Sequence, residues 1–394
     1  MTARSIADLD LQGRRVFIRV DFDVLLTPAG GVSDATRIRE ALPTVTHAID
    51  RGARVVLASH LGRPKGRVRH EFSLLPIAAY LAEALDRDVM LADEPAGDGA
   101  KKVVSDLRDG GVAMLENLRF SPGEESNDEA LARALASYAD VYVNEAFRTA
   151  HRAHASTAGM VKHVPSRGMG FHAEREVKML GKLQGDVERP FVAILGGTKV
   201  PEKIGLLESL LGRVDALCLG GTMANTFLRA KGADMGRSLF ESSKLAIARA
   251  LLAKAEASDV EVVLPRDVVV AEDRNAETGT VVPAAHVPDD STALDLGPES
   301  ASEIAAVLSR ARTVFWHGPM GAFEGPAFAA GTLAVAKAVA LVMGGTTVVA
   351  GSAAAAALQR AGVAGSVTHV STGGAACLEF VEGKRLPGLA ALES

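Results

Sequence analysis

The sequence of 394 residues is poor in cysteine and in aromatic residues, and it contains no long uninterrupted apolar run. Its two cysteines, Cys218 and Cys377, stand apart in apolar surroundings. This pattern excludes a disulfide framework and a thiolate metal site, and it predicts buried thiols in a reducing compartment. The longest apolar candidate, Ala334–Val349, carries Lys337 and two glycines, and the N-terminus lacks the apolar core of a signal peptide. We therefore expect a cytoplasmic protein that does not enter a membrane.

An excess of positive charge is also missing. The 43 basic and 48 acidic residues leave a net charge of −5, which argues against nonspecific binding to nucleic acid. Hydrophobic residues make up 48% and charged residues 23% of the chain, as in ordinary globular proteins. Since 394 residues exceed the usual size of one hydrophobic core, we expect two domains.

The chain does contain a regular alternation of short apolar runs with longer amphipathic helical patterns, such as Leu74–Leu85 and Lys244–Glu256. This alternation predicts an α/β fold in which parallel sheets carry helices on both faces. The strands are predicted at Val16–Val20, Val55–Ser59, Val112–Glu116, Val141–Asn144, Phe191–Leu195, Ala216–Leu219, Val260–Leu264, Val314–Trp316, Thr347–Ala350 and Val367–Val370.

The residues that follow these strands fall into two groups. The first four strand ends read RVDFD, ASHLGRP, ENLRF and NEAFRTAHRAH, and they are rich in arginine and histidine. The last five read LGGTK, LGGT, WHGPMG, AGSA and STGG, and they are rich in glycine. Because ligands of open α/β sheets bind beyond the carboxyl ends of the strands, we expect a basic anion pocket in the first half and a backbone-lined phosphate site in the second. The basic candidates are Arg19, Arg37, His60, Arg63, Arg119, Arg148, His151, Arg152 and His154.

Three further segments carry predictions of their own. In LGGTKVPEK, the four-residue spacing of Lys199 and Lys203 predicts that both lie on one helix face near a bound phosphate. The segment Thr347–Leu358, TVVAGSAAAAAL, predicts a strand, a tight turn and a helix, which is either a phosphate loop or a plain helix start. The glycine-flanked segment GMGFHAEREVKMLGKLQGDVERP predicts a linker helix that acts as a hinge.

Several segments together carry a resemblance to a known family. They are RVDFDV, SHLGRPKG, ENLRFSPGEE, YVNEAFRTAHRAHAS, ILGGTKVPEKI, LGGTMANTFL, LDLGPES, FWHGPMGAFE and HVSTGGAACLEFVEGKRLPGL. In content, order and spacing they resemble phosphoglycerate kinases over nearly the whole chain. The resemblance implies an α/β fold of two Rossmann-like parallel-sheet domains joined by a hinge helix. It places the acceptor domain at 1–172, the linker helix at 173–186, the nucleotide domain at 187–377 and a tail returning to the first domain at 378–394.

The resemblance also implies reversible transfer of the γ-phosphate of ATP to the carboxylate of 3-phosphoglycerate, with Mg²⁺ accompanying ATP or ADP. Hinge closure would bring the carboxylate to the γ-phosphate, where Arg37, Lys199, Gly373 and Gly374 would surround the transferred group. The acceptor residues would be Asp21, Asp23, His60, Arg63, Arg119, Arg148 and Arg152. The nucleotide residues would be Gly197, Thr198, Lys203, Gly221, Gly297, His317, Pro319, Glu324, Gly351, Ser352 and Ala353.

The chain departs from the family pattern within these predicted sites. The family pattern GGGD[ST] aligns with AGSAA, so the position of the metal-binding aspartate falls on Ala353, which leaves Glu202 as a candidate metal ligand. His317 stands where the family has asparagine. Asp23 replaces an asparagine and Arg148 replaces a glycine, which predicts an ion pair between them or recognition of a different acceptor substituent.

Three functions stay open on these residues. The chain is a glycolytic phosphoglycerate kinase, a paralogue that phosphorylates a different small carboxylate, or a non-catalytic homologue that binds nucleotides or anions. In each case we expect a monomer whose ligands are ATP or ADP and a small anion, with no nucleic-acid or membrane partner.

Overall fold

The computed structural model describes residues 3–393, and over this range the chain folds into two compact units. The N-terminal unit contains residues 3–178 together with 385–393, and the C-terminal unit contains residues 179–384. The chain therefore returns to the N-terminal unit inside the predicted tail. No helix within this described range is long and apolar enough to cross a membrane.

The N-terminal unit is built on a six-stranded parallel sheet. Its strands are β1 (Arg15–Arg19), β2 (Arg54–Ala58), β3 (Val89–Leu91), β4 (Val112–Met114), β5 (Val141–Asn144) and β6 (Ser166–Met169). Its helices are α1 (Thr36–Asp50), α2 (Leu75–Leu85), α3 (Asp98–Ser105), α4 (Glu129–Ala136) and the start of α5 (Phe171–Gly181), which continues into the C-terminal unit. The strand order is β3-β4-β2-β1-β5-β6, so the order of connection reverses between β1 and β5. Ligands of such sheets bind at this reversal, beyond the carboxyl ends of the strands.

The C-terminal unit is built on a second six-stranded parallel sheet with the order β10-β8-β7-β15-β16-β17. Its strands are β7 (Phe191–Leu195), β8 (Ala216–Leu219), β9 (Asp234–Met235), β10 (Glu261–Val263), β11 (Asp267–Ala271), β12 (Thr280–Pro283), β13 (His286–Val287), β14 (Thr292–Leu296), β15 (Thr313–His317), β16 (Thr346–Ala350) and β17 (His369–Ser371). Its helices are α6 (Ile204–Leu210), α7 (Gly221–Ala230), α8 (Leu245–Ala257), α9 (Pro298–Leu308), α10 (Ala330–Ala340), α11 (Ser352–Arg360) and α12 (Gly374–Glu382), and α13 (Pro387–Glu393) follows in the N-terminal unit. Here the order of connection reverses between β7 and β15.

Each sheet is buried on both faces, which explains why its strands read as continuous apolar runs. In β7 all five residues of Phe191–Leu195 are buried, and the middle of β15 contributes the fully buried Trp316. The predicted buried thiols are confirmed, since Cys218 lies on β8 and Cys377 on α12, both out of contact with solvent.

The predicted α/β fold with two parallel sheets is confirmed, and each predicted strand is present with small differences at its ends. The sequence did not predict the partly exposed edge strands β3 and β6 of the N-terminal sheet, nor the antiparallel sheet β12-β11-β14 of the C-terminal unit. Strand β11, DVVVA, is an apolar and mostly buried run that Pro265 and Arg266 separate from β10, so its pattern could have been recognised. Strand β12 is largely exposed and lacks the buried apolar signal of the parallel sheets.

Candidate active site

Part of the predicted basic pocket comes together at the carboxyl ends of β1, β2, β4 and β5. We call this group the basic cluster, and it consists of Asp21, Asp23, Arg37, His60, Arg119 and Arg148. The two aspartates follow β1, the histidine follows β2, and Arg37 lies in the first turn of α1. The strand ends of the parallel sheet thus gather charges that are far apart in the sequence.

The two carboxylates of the basic cluster differ in their hydrogen bonding. Asp23 Oδ1 accepts a hydrogen bond of 2.8 Å from the Gly62 amide, and its Oδ2 lies 3.7 Å from His60 Nε2. Asp21 Oδ1 lies 4.0 Å from His60 Nδ1, whereas its buried Oδ2 has no hydrogen-bond partner among the residues that the structure describes. Because an unsatisfied buried acceptor is costly, Asp21 is placed to accept a hydrogen bond from a bound ligand.

Two guanidinium groups lie beside these carboxylates. Arg37 Nη1 donates to the carbonyl of Asp23, and Arg148 Nε lies 3.8 Å from Asp21 Oδ2. Burial lowers the pKa of Arg148, and the charge of Arg37 lowers it further, whereas Asp21 and Asp23 raise it. Arg148 thus contacts Asp21 at 3.8 Å, and the negative charge of Asp23 also acts on its guanidinium.

The other predicted acceptor residues lie around this cluster. Arg119 Nη1 donates a hydrogen bond of 2.9 Å to the Gly62 carbonyl, which ties the end of β4 to the loop after β2. Arg63 and Arg152 are exposed. The basic loop that follows Arg63 lines an open groove of about 510 Å³ with Pro64, Lys65, Arg67, Val68 and Arg69. The exposed arginines are thus available to an anion that approaches from solvent.

Behind the basic cluster lies a buried network that joins Arg19, a predicted pocket residue, to Glu124 and Ser156, which the sequence did not single out. Arg19 is buried, its Nε donates to Ser156 Oγ at 2.8 Å, and its Nη2 lies 3.3 Å from His60 Nδ1. Glu124 is fully buried and accepts from the amide and the hydroxyl of Ser156, at 3.0 and 2.6 Å. Burial raises the pKa of Glu124, while the charge of Arg19 opposes that rise, and burial lowers the pKa of His60 well below its usual value. The network fixes His60 and the end of β1 from within the core.

In the C-terminal unit, the turns after β7, β8 and β15 approach one another closely. The Gly221 amide donates to the Met320 carbonyl at 2.8 Å, and the Gly196 amide donates to the His317 carbonyl at 3.0 Å. A Cβ atom on Gly221, whose φ is +57°, would lie 3.1 Å from the nitrogen of Gly197. Glycine is therefore required here for both the conformation and the close backbone approach. This convergence lies where the order of connection in the sheet reverses, the usual place for a ligand.

The prediction that Lys199 and Lys203 share one helix face is wrong. Pro201–Lys203 forms a single 3-10 turn before α6 begins, because proline favours the first turn of a helix over its interior. The side chain of Lys199 is 72% exposed, and its Nζ lies 3.4 Å from Glu202. Lys203 is buried, its ammonium donates to the Gly196 carbonyl, and burial lowers its pKa to about 8. The positive charge of Lys203 therefore lies among the glycine turns, at the carbonyl of Gly196.

The segment TVVAGSAAAAAL forms a strand, a turn and a helix, as predicted. Gly351 lies between β16 and α11 with a φ of +91°, a conformation that favours glycine. The first turn of α11 contains no acidic residue: Ser352 is exposed and Ala353 is partly buried. The first amides of a helix have no partner within the helix and attract anions, so this turn can bind phosphate through its backbone.

The remaining predicted nucleotide residues lie at helix starts and in loops. Gly297 precedes α9, whose first amides already donate to the carboxylate of Asp267, at 3.1 Å from Glu299 and 2.8 Å from Ser300. Gly374 begins α12 with a φ of +56°. The other positions are Thr198 and Glu324, which are exposed, Pro319, which is partly exposed, and Gly373, which is buried.

The residues of this site do not form a protein-held metal centre. Within residues 3–393, no three His, Cys, Asp or Glu side chains are grouped so that they could hold a metal ion. The candidate ligand Glu202 is 63% exposed and lies beside the ammonium of Lys199. The polar side chains beside the glycine turns include the imidazole of His317, the ammonium of Lys203 and the carboxyl of Asp295.

Next to these turns, Asp295 is a buried acid that the sequence did not single out. Its Oδ2 accepts a hydrogen bond of 2.7 Å from the Gly331 amide at the start of α10, and its Oδ1 has no partner within the described chain. Burial raises its pKa to about 7. A carboxyl whose pKa is higher in the folded than in the unfolded chain stabilises the fold at low pH, and this contribution is lost as the pH rises through about 7.

We therefore expect Asp295→Asn to change how stability depends on pH. From pH 5 to pH 8 the free energy of unfolding of the wild type should fall by about 2.5 kcal/mol more than that of the variant, because the asparagine has no proton to lose. Urea unfolding followed by the fluorescence of the single tryptophan, Trp316, measures this difference in the same unit. Parallel pH profiles for the two proteins would contradict the assignment.

Comparison with known proteins identifies the family. The family model described as phosphoglycerate kinase matches residues 6–384. The phosphoglycerate kinase of Anaeromyxobacter sp. (strain K) is 53% identical over 396 residues, covering 100% of both chains. That of Moorella thermoacetica is 51% identical over 393 residues, covering 100% of this chain and 99% of the relative.

Solved structures agree with the sequence comparisons. The phosphoglycerate kinase of Coxiella burnetii superimposes with a TM-score of 0.91 at 38% identity, covering 99% of both chains. That of Pyrococcus horikoshii OT3 superimposes with a TM-score of 0.82 at 31% identity, covering 99% of this chain and 98% of that chain. The match extends over both parallel sheets and over the strand ends that carry the basic cluster and the glycine turns. The chain therefore belongs to the phosphoglycerate kinase family.

Proposed function

We propose that the protein is a phosphoglycerate kinase that transfers the γ-phosphoryl group of ATP reversibly to the carboxylate of 3-phosphoglycerate. The observation that carries the proposal is the full-length identity of about one half with named phosphoglycerate kinases. The product is the acyl phosphate 1,3-bisphosphoglycerate, and the reverse reaction makes ATP. This reaction belongs to glycolysis, and with it we propose a cytoplasmic monomer.

The chemistry of the basic cluster fits this acceptor. 3-Phosphoglycerate carries a carboxylate, a hydroxyl and a phosphate, so its site needs several positive donors and one hydrogen-bond acceptor. Arginine provides a planar fork of donors that matches carboxylate and phosphate, which is the role we assign to Arg37, Arg63, Arg119 and Arg152. Asp21 Oδ2, which accepts no hydrogen bond from the residues that the structure describes, supplies the acceptor for the hydroxyl.

In the transfer step the protein forms no covalent bond to the phosphoryl group. A carboxylate oxygen of the acceptor forms a bond to the γ-phosphorus, the bond from that phosphorus to the bridging oxygen breaks, and ADP leaves. No proton moves, because the carboxylate is already ionised near neutral pH. Positioning and charge neutralisation dominate such reactions, and we assign these roles to Arg37 at the acceptor and to Lys199 with the Gly373–Gly374 amides at the donor.

For the nucleotide we propose the glycine turns of the C-terminal unit. Supporting residues are Gly197, Thr198, Lys203, Gly221, Gly297, His317, Pro319, Glu324, Gly351, Ser352 and Ala353. Kinases of this family use ATP or ADP with Mg²⁺. The side chains present here do not provide a carboxylate set for that ion, so we assign no step to a protein-held metal.

We also propose the domain roles that the resemblance implies. Residues 1–172 bind the acceptor, 173–186 form the linker, 187–377 bind the nucleotide, and 378–394 form the returning tail. Within the linker the helix α5 ends at Gly181, and within the tail the chain joins the N-terminal unit from residue 385. The division of the chain into two packed units supports these roles. The small anionic acceptor and the nucleotide are the partners that they require.

The experiment is a coupled assay with ATP, Mg²⁺ and 3-phosphoglycerate, run beside a panel of small carboxylates with hydroxylamine trapping of acyl phosphates. Turnover of 3-phosphoglycerate on the order of 1–100 per second or faster is the expected result. Turnover of another acid alone would instead identify a paralogue, a second candidate that the charges at Asp23 and Arg148 favour. Binding of both ligands without turnover would contradict both proposals.

A further inference from the structure

The end of β15 places an imidazole against the glycine turn that opens α11. His317 and Ala350 are paired residues at the ends of neighbouring parallel strands. A Cβ atom on Gly351 would lie 3.1 Å from His317 Nε2. Because glycine has no side chain, the space beside Nε2 stays open. The imidazole therefore lies beside the turn that leads into the first amides of α11.

This imidazole is neutral and has one N–H to donate. Burial lowers the pKa of His317 to about 3, and the charge of Lys203 lowers it as well. The ring Nδ1 is buried and has no hydrogen-bond partner within residues 3–393. Since buried N–H groups without an acceptor are rarer in proteins than buried acceptors without a donor, the proton belongs on Nε2. The ring then presents its N–H to the turn.

The charges around the turn favour an anion over a cation. The buried ammonium of Lys203 lies beside the neighbouring turn after β15, since a Cβ atom on Gly318 would be 3.2 Å from its Nζ, and its charge acts on His317. The first turn of α11, which contains Ser352 and Ala353, has no acidic residue. A hard cation such as Mg²⁺ takes oxygen ligands, and an ammonium nearby repels it.

We infer that the turn at Gly351 binds nucleotide phosphate directly, through the N–H of His317 and the first amides of α11, with no divalent cation held by the protein. Lys203 supplies the positive charge that such a cation would otherwise bring to this end of the site. The inference rests on the proposed function, because it takes the ligand of the turn to be ATP or ADP. It follows that free ADP binds nearly as well as Mg-ADP.

Titration calorimetry of the full-length chain with ADP, in Mg²⁺ and separately in EDTA, tests this inference. The two dissociation constants of the wild type should agree within about threefold. Ala353→Asp provides an oxygen ligand and a negative charge, so it should tighten Mg-ADP binding about tenfold and weaken metal-free ADP binding about threefold. His317→Phe keeps a ring but removes its N–H, so it should weaken metal-free ADP binding about tenfold.

The matched control is Ala356→Asp, which adds the same charge at an exposed position of the same helix. It should change both dissociation constants by less than about twofold, since water screens an exposed charge. Thermal melting of each variant separates a loss of binding from a loss of folding.

Two results would overturn the inference while leaving the proposed function intact. One is a wild type that binds Mg-ADP at least tenfold more tightly than free ADP, with no gain from Ala353→Asp. Loss of that preference in Glu202→Gln would then identify Glu202 as the metal ligand. The other is a folded His317→Phe variant that binds free ADP as the wild type does. Absence of ADP binding in both buffers would overturn the proposed function together with the inference.

Discussion

Replacing Arg37 by alanine is expected to lower kcat by on the order of 10³-fold while changing the affinity for ADP by less than about twofold. Arg37 lies in the first turn of α1, where its Nη1 donates to the Asp23 carbonyl and holds the guanidinium within the basic cluster. We assign it the acceptor carboxylate and the charge that develops on the incoming phosphoryl group. An interaction that strengthens in the transition state affects kcat more than ground-state binding.

Steady-state kinetics with 3-phosphoglycerate and calorimetry with ADP measure the two quantities. Arg39→Ala is the matched control, since Arg39 is exposed on the same helix and its Nη2 donates to the Thr36 hydroxyl at 3.4 Å. Arg37→Lys should recover little activity, because one ammonium cannot replace a planar fork of donors. Equal losses of turnover and of ADP binding, or a large fall in melting temperature, would indicate a structural role instead.

The fold was predictable because the two parallel sheets leave a direct trace in the sequence. Strands buried on both faces, such as β7 and β15, are short apolar runs, and the helices between them are amphipathic. The antiparallel sheet of β11, β12 and β14 is less evident, because β12 is largely exposed and β14 is only partly buried. The pairing of these strands with the apolar run of β11 depends on tertiary contacts that no local pattern encodes.

The sequence also indicates which charged residues follow the strands, but it does not indicate which of those side chains are buried. The sequence places Lys199 and Lys203 in one motif, yet one is exposed and the other is buried with a pKa lowered to about 8. The pattern GEE contains two glutamates, of which only Glu124 is buried against Ser156. Which of two like residues faces the core depends on how the loop packs, and that information is not local.

The charges at positions 23 and 148 show the same limit at the level of a pair. The sequence predicted either an ion pair between Asp23 and Arg148 or recognition of a different acceptor substituent, and in the structure Arg148 Nε lies 3.8 Å from Asp21 Oδ2. Asp23 nevertheless raises the pKa of Arg148, as Asp21 does, so Arg148 balances two carboxylates at once. The relation between the two substitutions is therefore electrostatic, and it should be measurable as a coupling energy.

Arg148→Ala is expected to raise the KM for 3-phosphoglycerate by roughly 10- to 100-fold with little change in the KM for ATP, because it leaves two carboxylates facing an anionic acceptor. Asp23→Asn alone should have a small effect, since the asparagine oxygen can still accept the Gly62 amide. When Asp23→Asn is combined with Arg148→Ala, one of the two negative charges beside the acceptor is removed. The KM for 3-phosphoglycerate of the double variant should then be about tenfold lower than that of Arg148→Ala.

The coupling between these substitutions decides whether Arg148 acts through charge. Arg133→Ala is the matched control, because this arginine is exposed on α4 and pairs with Glu129 at 2.9 Å, outside the basic cluster. If the effects of Asp23→Asn and Arg148→Ala simply add, the two residues act independently and the electrostatic account is wrong.

If the double variant instead gains activity on 3-phosphoglycerate while the wild type prefers another carboxylate from the panel, the two substitutions have changed the acceptor specificity of this site. Recovery on 3-phosphoglycerate itself means that Arg148 offsets the negative charge of Asp23 and preserves the acceptor of the family.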